Sequence, residues 1–143
     1  LDLADRIVIL DHGRIAQMGT PREVCRNPNS AFVTRFLGDA NRSSGIAASG
    51  RVSVAGVEVA TSSIPDGPAE IYVRPTDLIW SRGGQGIPVR VTRVLDRADG
   101  RRVLAETEDG TAIEFDVDVD LDIFAGERGH VLVKRANVHK ATA

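Results

Sequence analysis

From Ser43 onward the sequence consists of short β segments separated by Gly, Pro and Asp. This regular occurrence of turn residues constrains the fold more than any other feature. Short runs rich in Val and Ile and bounded by turn residues are typical of strands. The predicted strands are Arg51–Val54, Val57–Val59, Glu70–Arg74, Asp77–Trp80, Pro88–Leu95, Val103–Thr107, Thr111–Phe115 and His130–Lys134. Many short strands favour a small closed or half-open β-barrel, because closure removes exposed sheet edges.

The segment Pro88–Leu95 shows the clearest alternation of apolar and polar residues. A period of two places Val89 and Val91 on the buried face of a strand and Arg90 on the solvent face, and Arg93 is also predicted to point outward. Two tight turns are also marked, by Ala55-Gly56 and by Glu108–Gly110.

Residues before Ser43 have a mixed α/β pattern. A short apolar run ends at Asp11-His12-Gly13, so a β-hairpin is predicted there. Thr20–Glu23 has the form of a helical capping box, with Pro at the first helical position. The predicted elements are strands Arg6–Leu10 and Arg14–Met18, a helix that begins at Pro21 and ends at Asn27-Pro28, and a second short helix from Ser30 to Gly38.

Composition excludes several classes of function. Only 4% of the 143 residues are aromatic and the net charge is −2, which disfavours nucleic acid and acidic membranes as partners. Hydrophobic residues make up 42% of the chain and aromatic residues only 4%, so the core must be aliphatic. The single cysteine, Cys25, allows no disulfide framework and favours a reducing compartment. No apolar run is long enough to span a bilayer, so we expect no direct membrane insertion.

Two segments carry a resemblance to a known family. Residues 6–21 are similar to the pattern R-I-x-V-x-x-x-G-x-I-x-Q-x-G-T-P near the end of the nucleotide-binding domain of ABC importer ATPases. Residues 73–135, with Val73–Leu78 and His130–Arg135, resemble the TOBE (transport-associated OB) domain that follows it. The junction Phe36–Arg42 is closest to the F-x-G-x-V-N-R of sulfate/thiosulfate importer ATPases, with Ala40 in place of the Val.

The resemblance implies a C-terminal piece of such a subunit. Residues 1–42 would be the tail of the nucleotide-binding domain, and residues 43–143 an OB-like regulatory domain. The intact protein would hydrolyse ATP with magnesium, as a homodimer beneath membrane permease subunits, at the cytoplasmic side of a bacterial inner membrane. The transported solute could also be a sugar, a polyamine or iron.

The chain itself shows no catalytic constellation. No G-x-x-x-x-G-K-[ST] phosphate loop is present, and Ser81–Gln85 only approaches the family's Leu-Ser-Gly-Gly-Gln, so we expect no cofactor and no catalysis. Asp116–Asp122 spaces its carboxylates by two, as calcium loops do, but Leu121 stands where such a loop needs Gly. The alternation instead predicts a solvated strand edge with Val117, Val119, Leu121 and Ile123 on one face.

Two groups of residues are candidates for a non-catalytic role. Arg74, Pro75 and Asp77 could form a dimer or regulatory contact, because Pro75 stiffens a loop and Asp77 could pair with an Arg of a second copy. A second hypothesis is an anion-sensing module, in which basic residues line an oxyanion groove; the alternative is that they only keep the barrel soluble. The oxyanion candidates are Arg90, Arg93, Lys134 and Arg135, and Arg74 is a further basic residue that could line the groove.

Overall fold

A computed structural model describes residues 6–29 and 39–141 of the chain. The chain divides into two compact units, Leu1–Ala40 and Asn41–Ala143. The second unit is built from antiparallel strands, and the described residues of the first contain a two-stranded antiparallel hairpin, which confirms the prediction of a mainly β protein. The predicted helix Ser30–Gly38 lies outside the described residues. None of the helices in the described ranges has the length and apolar character needed to cross a membrane.

The first unit contains the predicted hairpin, formed by β1 (Ile7–Asp11) and β2 (Arg14–Gly19). His12 and Gly13 have φ angles of 51° and 80°, which gives the left-handed pair that a tight two-residue hairpin turn requires. The strands pair antiparallel, with an irregularity between Ile9 and Leu10.

Helix α1 (Pro21–Arg26) follows the hairpin and begins where the capping box predicts. The Thr20 hydroxyl accepts a hydrogen bond from the Glu23 backbone N–H and donates one to the Glu23 carboxylate. Asn27 ends the helix, as predicted. Ile9 of β1 and Val24 of α1 are buried and form the apolar centre of this unit.

The second unit contains ten strands in two five-stranded antiparallel sheets. Sheet I has the order β10-β9-β8-β11-β7 and sheet II the order β12-β6-β3-β4-β5. The strands are β3 (Asn41–Ala48), β4 (Arg51–Val54), β5 (Val57–Thr61), β6 (Gly67–Val73), β7 (Leu78–Ser81), β8 (Ile87–Arg97), β9 (Gly100–Thr107), β10 (Ala112–Val117), β11 (Arg128–Val133) and β12 (Asn137–Lys140). A 3-10 turn, Pro75–Asp77, connects β6 to β7.

Sheet I curls without closing. The rings of Trp80 on β7 and Phe115 on β10 stack at 5.7 Å, so the two outermost strands of this sheet approach each other. No strand pairing joins β7 to β10 among the described residues, so the closed-barrel alternative is wrong. Instead, the Asn41 side chain satisfies the free edge of β10: its amide donates to Glu114 O and its carbonyl accepts from Glu114 N, both at 2.7 Å.

The core of the second unit is aliphatic, as expected, with Phe115 as its one fully buried aromatic side chain among the described residues. On β8, Val89 and Val91 are buried and Arg90 is exposed, as the alternation predicts, and Arg93 is exposed as predicted although it has the same parity as Val91. A β-bulge between Val91 and Arg93 shifts the alternation beyond this point.

The acidic segment differs from its prediction. Strand β10 ends at Val117 rather than continuing through Ile123, and Val119 is 62% exposed. The Arg101 guanidinium donates to the carbonyls of Leu121 and Ile123. These side-chain hydrogen bonds occupy backbone acceptors that a sheet ladder would need, so the segment forms a loop anchored by the buried Ile123.

Candidate functional site

The outer face of sheet I carries a groove of about 660 Å³, which we call the outer groove. Its charged and titratable lining residues are Arg82, Arg90, Glu106, Glu108, Arg128 and His130. Strands β9, β8 and β11 form its floor, since Arg90 lies directly opposite Glu106 on one side and Arg128 on the other.

In the row of neighbouring side chains Glu106, Arg90 and Arg128, there are two positive charges and one negative charge. Arg90 forms a loose ion pair with Glu106, at 3.6 Å between two half-exposed side chains. Arg128 is exposed and forms no ion pair with any described residue. Like charges directly opposite each other in a sheet are destabilising, so the Arg90–Arg128 pair favours an anionic partner.

Arg82 closes one end of the outer groove and is held from several sides. Its Nε lies 2.8 Å from Glu127 Oε2, and its Nη2 donates to Asp122 O at 2.5 Å. The guanidinium carbon lies 5.9 Å from the centroid of the Trp80 ring, within reach of a cation–π interaction. Arg82 therefore connects the groove to the acidic segment and to the core.

The indole of Trp80 has room to stack on Phe115 because residue 129, which it contacts, is a glycine and has no Cβ atom. A Cβ atom at position 129 would come within 2.3 Å of Trp80 Cη2. Three buried polar atoms close to this region have no hydrogen-bond partner among the described residues: Trp80 Nε1, Glu127 Oε1 and His130 Nδ1. Each retains the capacity to bind one further polar group.

The turn at the other end of the outer groove is ordered by a carboxylate. Asp109 accepts hydrogen bonds from the hydroxyls of Thr107 and Thr111 and from the Thr111 backbone N–H. These donors stabilise the charged form, led by Thr107, and lower the pKa of the Asp109 carboxyl below its usual 3.8. The turn predicted at Glu108–Gly110 is thereby confirmed.

Known proteins give the strongest indication of identity. No protein-family model matches the chain. It is 55% identical over 139 residues, 96% of its length, to sulfate/thiosulfate import ATP-binding protein CysA 2 of Agrobacterium fabrum. The chain is CysA-like. It is also 37% identical, over 99% of its length, to CysA of Caulobacter vibrioides and 42% identical, over 85%, to CysA 1 of Chromobacterium violaceum.

These matches confirm the resemblance predicted for a C-terminal part of a sulfate/thiosulfate importer ATP-binding protein. The CysA-like chain spans about two fifths of the length of the curated relatives, since the match covers 41% of the Agrobacterium protein.

The predicted oxyanion residues do not come together. Arg90 lies in the outer groove, whereas Arg93 lies beyond the β-bulge of β8. Lys134 and Arg135 follow the end of β11, and Lys134 is six positions from the Arg128 that faces Arg90. Along a strand this separation is about 20 Å. Of the four predicted cations, only Arg90 therefore lines the outer groove.

The groove residues Arg82, Arg128 and His130 were not predicted from the sequence as site residues. The strand predicted from His130 begins two residues earlier, at Arg128. The alternation from Arg128 to Val131 could have identified Arg128 and His130 as site residues. It places both on one face of the strand, and the buried Val131 lies on the other face.

The predicted dimer segment forms the 3-10 turn between β6 and β7. Pro75 is buried, and the Asp77 carbonyl accepts a hydrogen bond of 2.7 Å from the Lys134 backbone N–H. The Asp77 backbone N–H donates to Arg74 O at 2.9 Å. The turn is thus fixed within the chain, and Thr76 is its exposed residue.

The Gly-rich pattern that approaches the family's Leu-Ser-Gly-Gly-Gln has a structural explanation. Ser81–Gln85 lies at the end of β7 and in the bend before β8, where no helix follows, so it is a Gly-rich connection.

In the described ranges, no three side chains of His, Cys, Asp or Glu form a group that could hold a metal ion.

Proposed function

We propose that this chain is the C-terminal part of the ATP-binding subunit of a bacterial ABC importer for sulfate or thiosulfate. The observation that carries the proposal is the 55% identity to the Agrobacterium protein along 96% of the chain. In this proposal ATP and magnesium are cofactors of the whole subunit, which works with membrane permease subunits at the cytoplasmic face of the inner membrane. The second unit would be its regulatory, TOBE-type domain.

The exposed face of the hairpin supports a place within a larger protein. Val8 lies opposite Met18, and Leu10 lies opposite Ile15, on one face of the two strands. All four side chains are exposed. An apolar face of this kind is expected to pack against further protein, which agrees with a chain that spans two fifths of its relatives.

A chimera tests this proposal. The matching part of the Agrobacterium protein is replaced by this chain, and sulfate uptake is measured in cells that lack their own subunit. We expect uptake to be restored. A chimera that is expressed and folded but supports no sulfate or thiosulfate uptake would overturn the assignment. A second chimera with Leu10→Asp and Ile15→Asp is the matched control, and we expect it to lose uptake because the apolar face can no longer pack.

The second unit is also proposed to mediate dimerisation, and Arg74, Pro75 and Asp77 remain candidate contacts. We expect Asp77→Arg to weaken self-association while leaving the fold intact, because the hydrogen bonds that fix the turn come from its backbone and not from the partly buried Asp77 side chain. Sedimentation of wild type and variant at matched concentrations measures this. Identical monomer–dimer equilibria would remove the turn from the interface.

A second candidate function is anion sensing, which is favoured by the facing pair Arg90 and Arg128 in the outer groove. Sulfate added at constant ionic strength should then change the fluorescence of Trp80, the single tryptophan, which adjoins Arg82 of the same groove. An equal response in Arg128→Ala would argue against binding at this position.

A further inference from the structure

A second cleft, of about 530 Å³, opens between the two sheets of the second unit, and we call it the inter-sheet cleft. Sheet II contributes Arg42, Ser43 and Ser44 of β3 and the turn that follows β4. Sheet I contributes the start of β8 and the turn between β9 and β10. Of the described lining residues, only Thr107 also lines the outer groove, so the two features are separate.

The lining carries one positive and one negative side chain, and both have hydrogen-bonding capacity to spare. Arg42 forms one ion pair with the described residues, from Nη2 to Glu70 Oε1 at 3.1 Å, and its side chain is 58% exposed. Asp109 accepts the hydrogen bonds from Thr107 and Thr111 through Oδ1, which leaves Oδ2 for another donor. These bonds lower the pKa of the Asp109 carboxyl, so it is ionised at neutral pH. A ligand of a single charge would be attracted by one of the two groups and repelled by the other.

The rest of the lining combines hydroxyl groups with an apolar floor. The hydroxyls of Ser43 and Ser44 form no hydrogen bond with another described residue. Val54, Ile87 and Ile113 form the floor, and the two isoleucines are each 6% exposed. Behind the floor lies a small cavity of about 10 Å³, lined by the same three residues and by other side chains of the core. A cavity of this size holds about one group as large as a water molecule or a methyl.

These features specify the chemistry of a ligand. It needs an anionic group for Arg42, a cationic group for Asp109 and a short apolar part for the floor. Arginine binds carboxylates with particular strength, and an apolar pocket with a few convergent polar groups is typical of small-molecule sites. We propose that the inter-sheet cleft binds a free α-amino acid with a small aliphatic side chain, a class that carries all three groups on one carbon atom.

This inference goes beyond the proposed function, because the ligand is neither sulfate nor ATP. Its carboxylate lies on Arg42 and its ammonium on Asp109, so the ligand contacts both sheets. A ligand that binds only the folded state stabilises it, and saturating ligand should therefore raise the melting temperature of the chain.

The experiment is calorimetric titration of the 143-residue chain with L-valine. We expect saturable binding with a dissociation constant of about 1 mM or below. N-acetyl-L-valine lacks the ammonium group and L-valinamide lacks the carboxylate, so each should bind at least about tenfold more weakly. L-Aspartate keeps both groups but places a second carboxylate against the apolar floor, and we expect the same loss of affinity.

Two variants place the binding in the cleft. Arg42→Gln and Asp109→Asn should each raise the dissociation constant for L-valine at least about tenfold. Arg51→Gln and Asp99→Asn make the same changes at exposed positions outside the cleft, and we expect them to leave it within about threefold. Arg42 also pairs with the buried Glu70, so Asp109→Asn decides the test if Arg42→Gln does not fold.

Three results would overturn the proposal. The first is the absence of saturable L-valine binding up to about 20 mM. The second is equal affinity for L-valine and for its two singly charged analogues, which would show that the zwitterion is not recognised. The third is binding that a folded Asp109→Asn variant leaves unchanged, which would place the amino acid elsewhere. None of these results affects sulfate uptake by the chimera, so the proposed function is tested separately.

Discussion

At the scale of single residues, Asn41 joins the two sheets of the second unit. Its side chain bonds to both backbone groups of Glu114 on β10 and to the carbonyl of Val73 on β6. Asn41→Ala leaves these partly buried groups without partners, and we expect a loss of about 1–3 kcal/mol in the free energy of unfolding. Urea denaturation measures it. Asn41→Asp should not rescue the stability, because a carboxylate cannot donate to the two carbonyls; full stability in that variant would contradict this explanation.

The stability of the folded state should depend on pH through Asp109, and the direction of the pKa shift gives the sign of that dependence. The pKa of its carboxyl is lowered by hydrogen bonds from Thr107 and Thr111, so the folded state favours the charged form. Its stabilising contribution is therefore complete above the unfolded value near 3.8 and is lost as the pH falls through the lower folded value. Asp109→Asn should remove this part of the acid sensitivity. An NMR titration that gives Asp109 a pKa at or above 3.8 would contradict the prediction.

At the scale of elements, the packing of β7 on β11 depends on Gly129. A methyl group there would overlap Trp80 Cη2 and displace the indole from its stack on Phe115. We expect Gly129→Ala to cost about 1–3 kcal/mol and to alter the Trp80 fluorescence. Gly84→Ala is the matched control, since a Cβ atom there meets nothing within 4 Å. Equal stability of the two variants would show that the strands adjust freely.

The sequence correctly predicted those elements whose backbone conformation is determined by residues within the element itself. The turns at His12-Gly13 and Ala55-Gly56 carry left-handed backbone conformations, which the glycine of each pair indicates. Strand β3 (Asn41–Ala48) was missed because it has few β-branched residues and owes its conformation to pairing with β6, which is distant in sequence. The segment Asp118–Phe124 was predicted as a strand, because the side chains that bind its carbonyls belong to Arg82 and Arg101, which are far from it in the sequence.

At the scale of the whole molecule, sequence reasoning recognised the relationship to importer ATP-binding proteins but not the site. The family pattern spans most of the chain, so it could be detected without a structure. The outer groove depends on the register of β8, β9 and β11, which places Arg90 between Glu106 and Arg128. No local pattern specifies that register, because each strand alternates in the same way whichever residue it faces.

The chain on its own is expected not to bind ATP, because the sequence contains no phosphate loop. Millimolar affinity would require about 4 kcal/mol of binding free energy. The outer groove contains three arginines, but the described residues include no group of His, Cys, Asp or Glu side chains that could hold a magnesium ion. Calorimetric titration of the chain with Mg-ATP should therefore give no heat of binding, whereas the full-length Agrobacterium relative should bind under the same conditions. Saturable binding by the chain tighter than about millimolar would show that it holds a nucleotide site of its own.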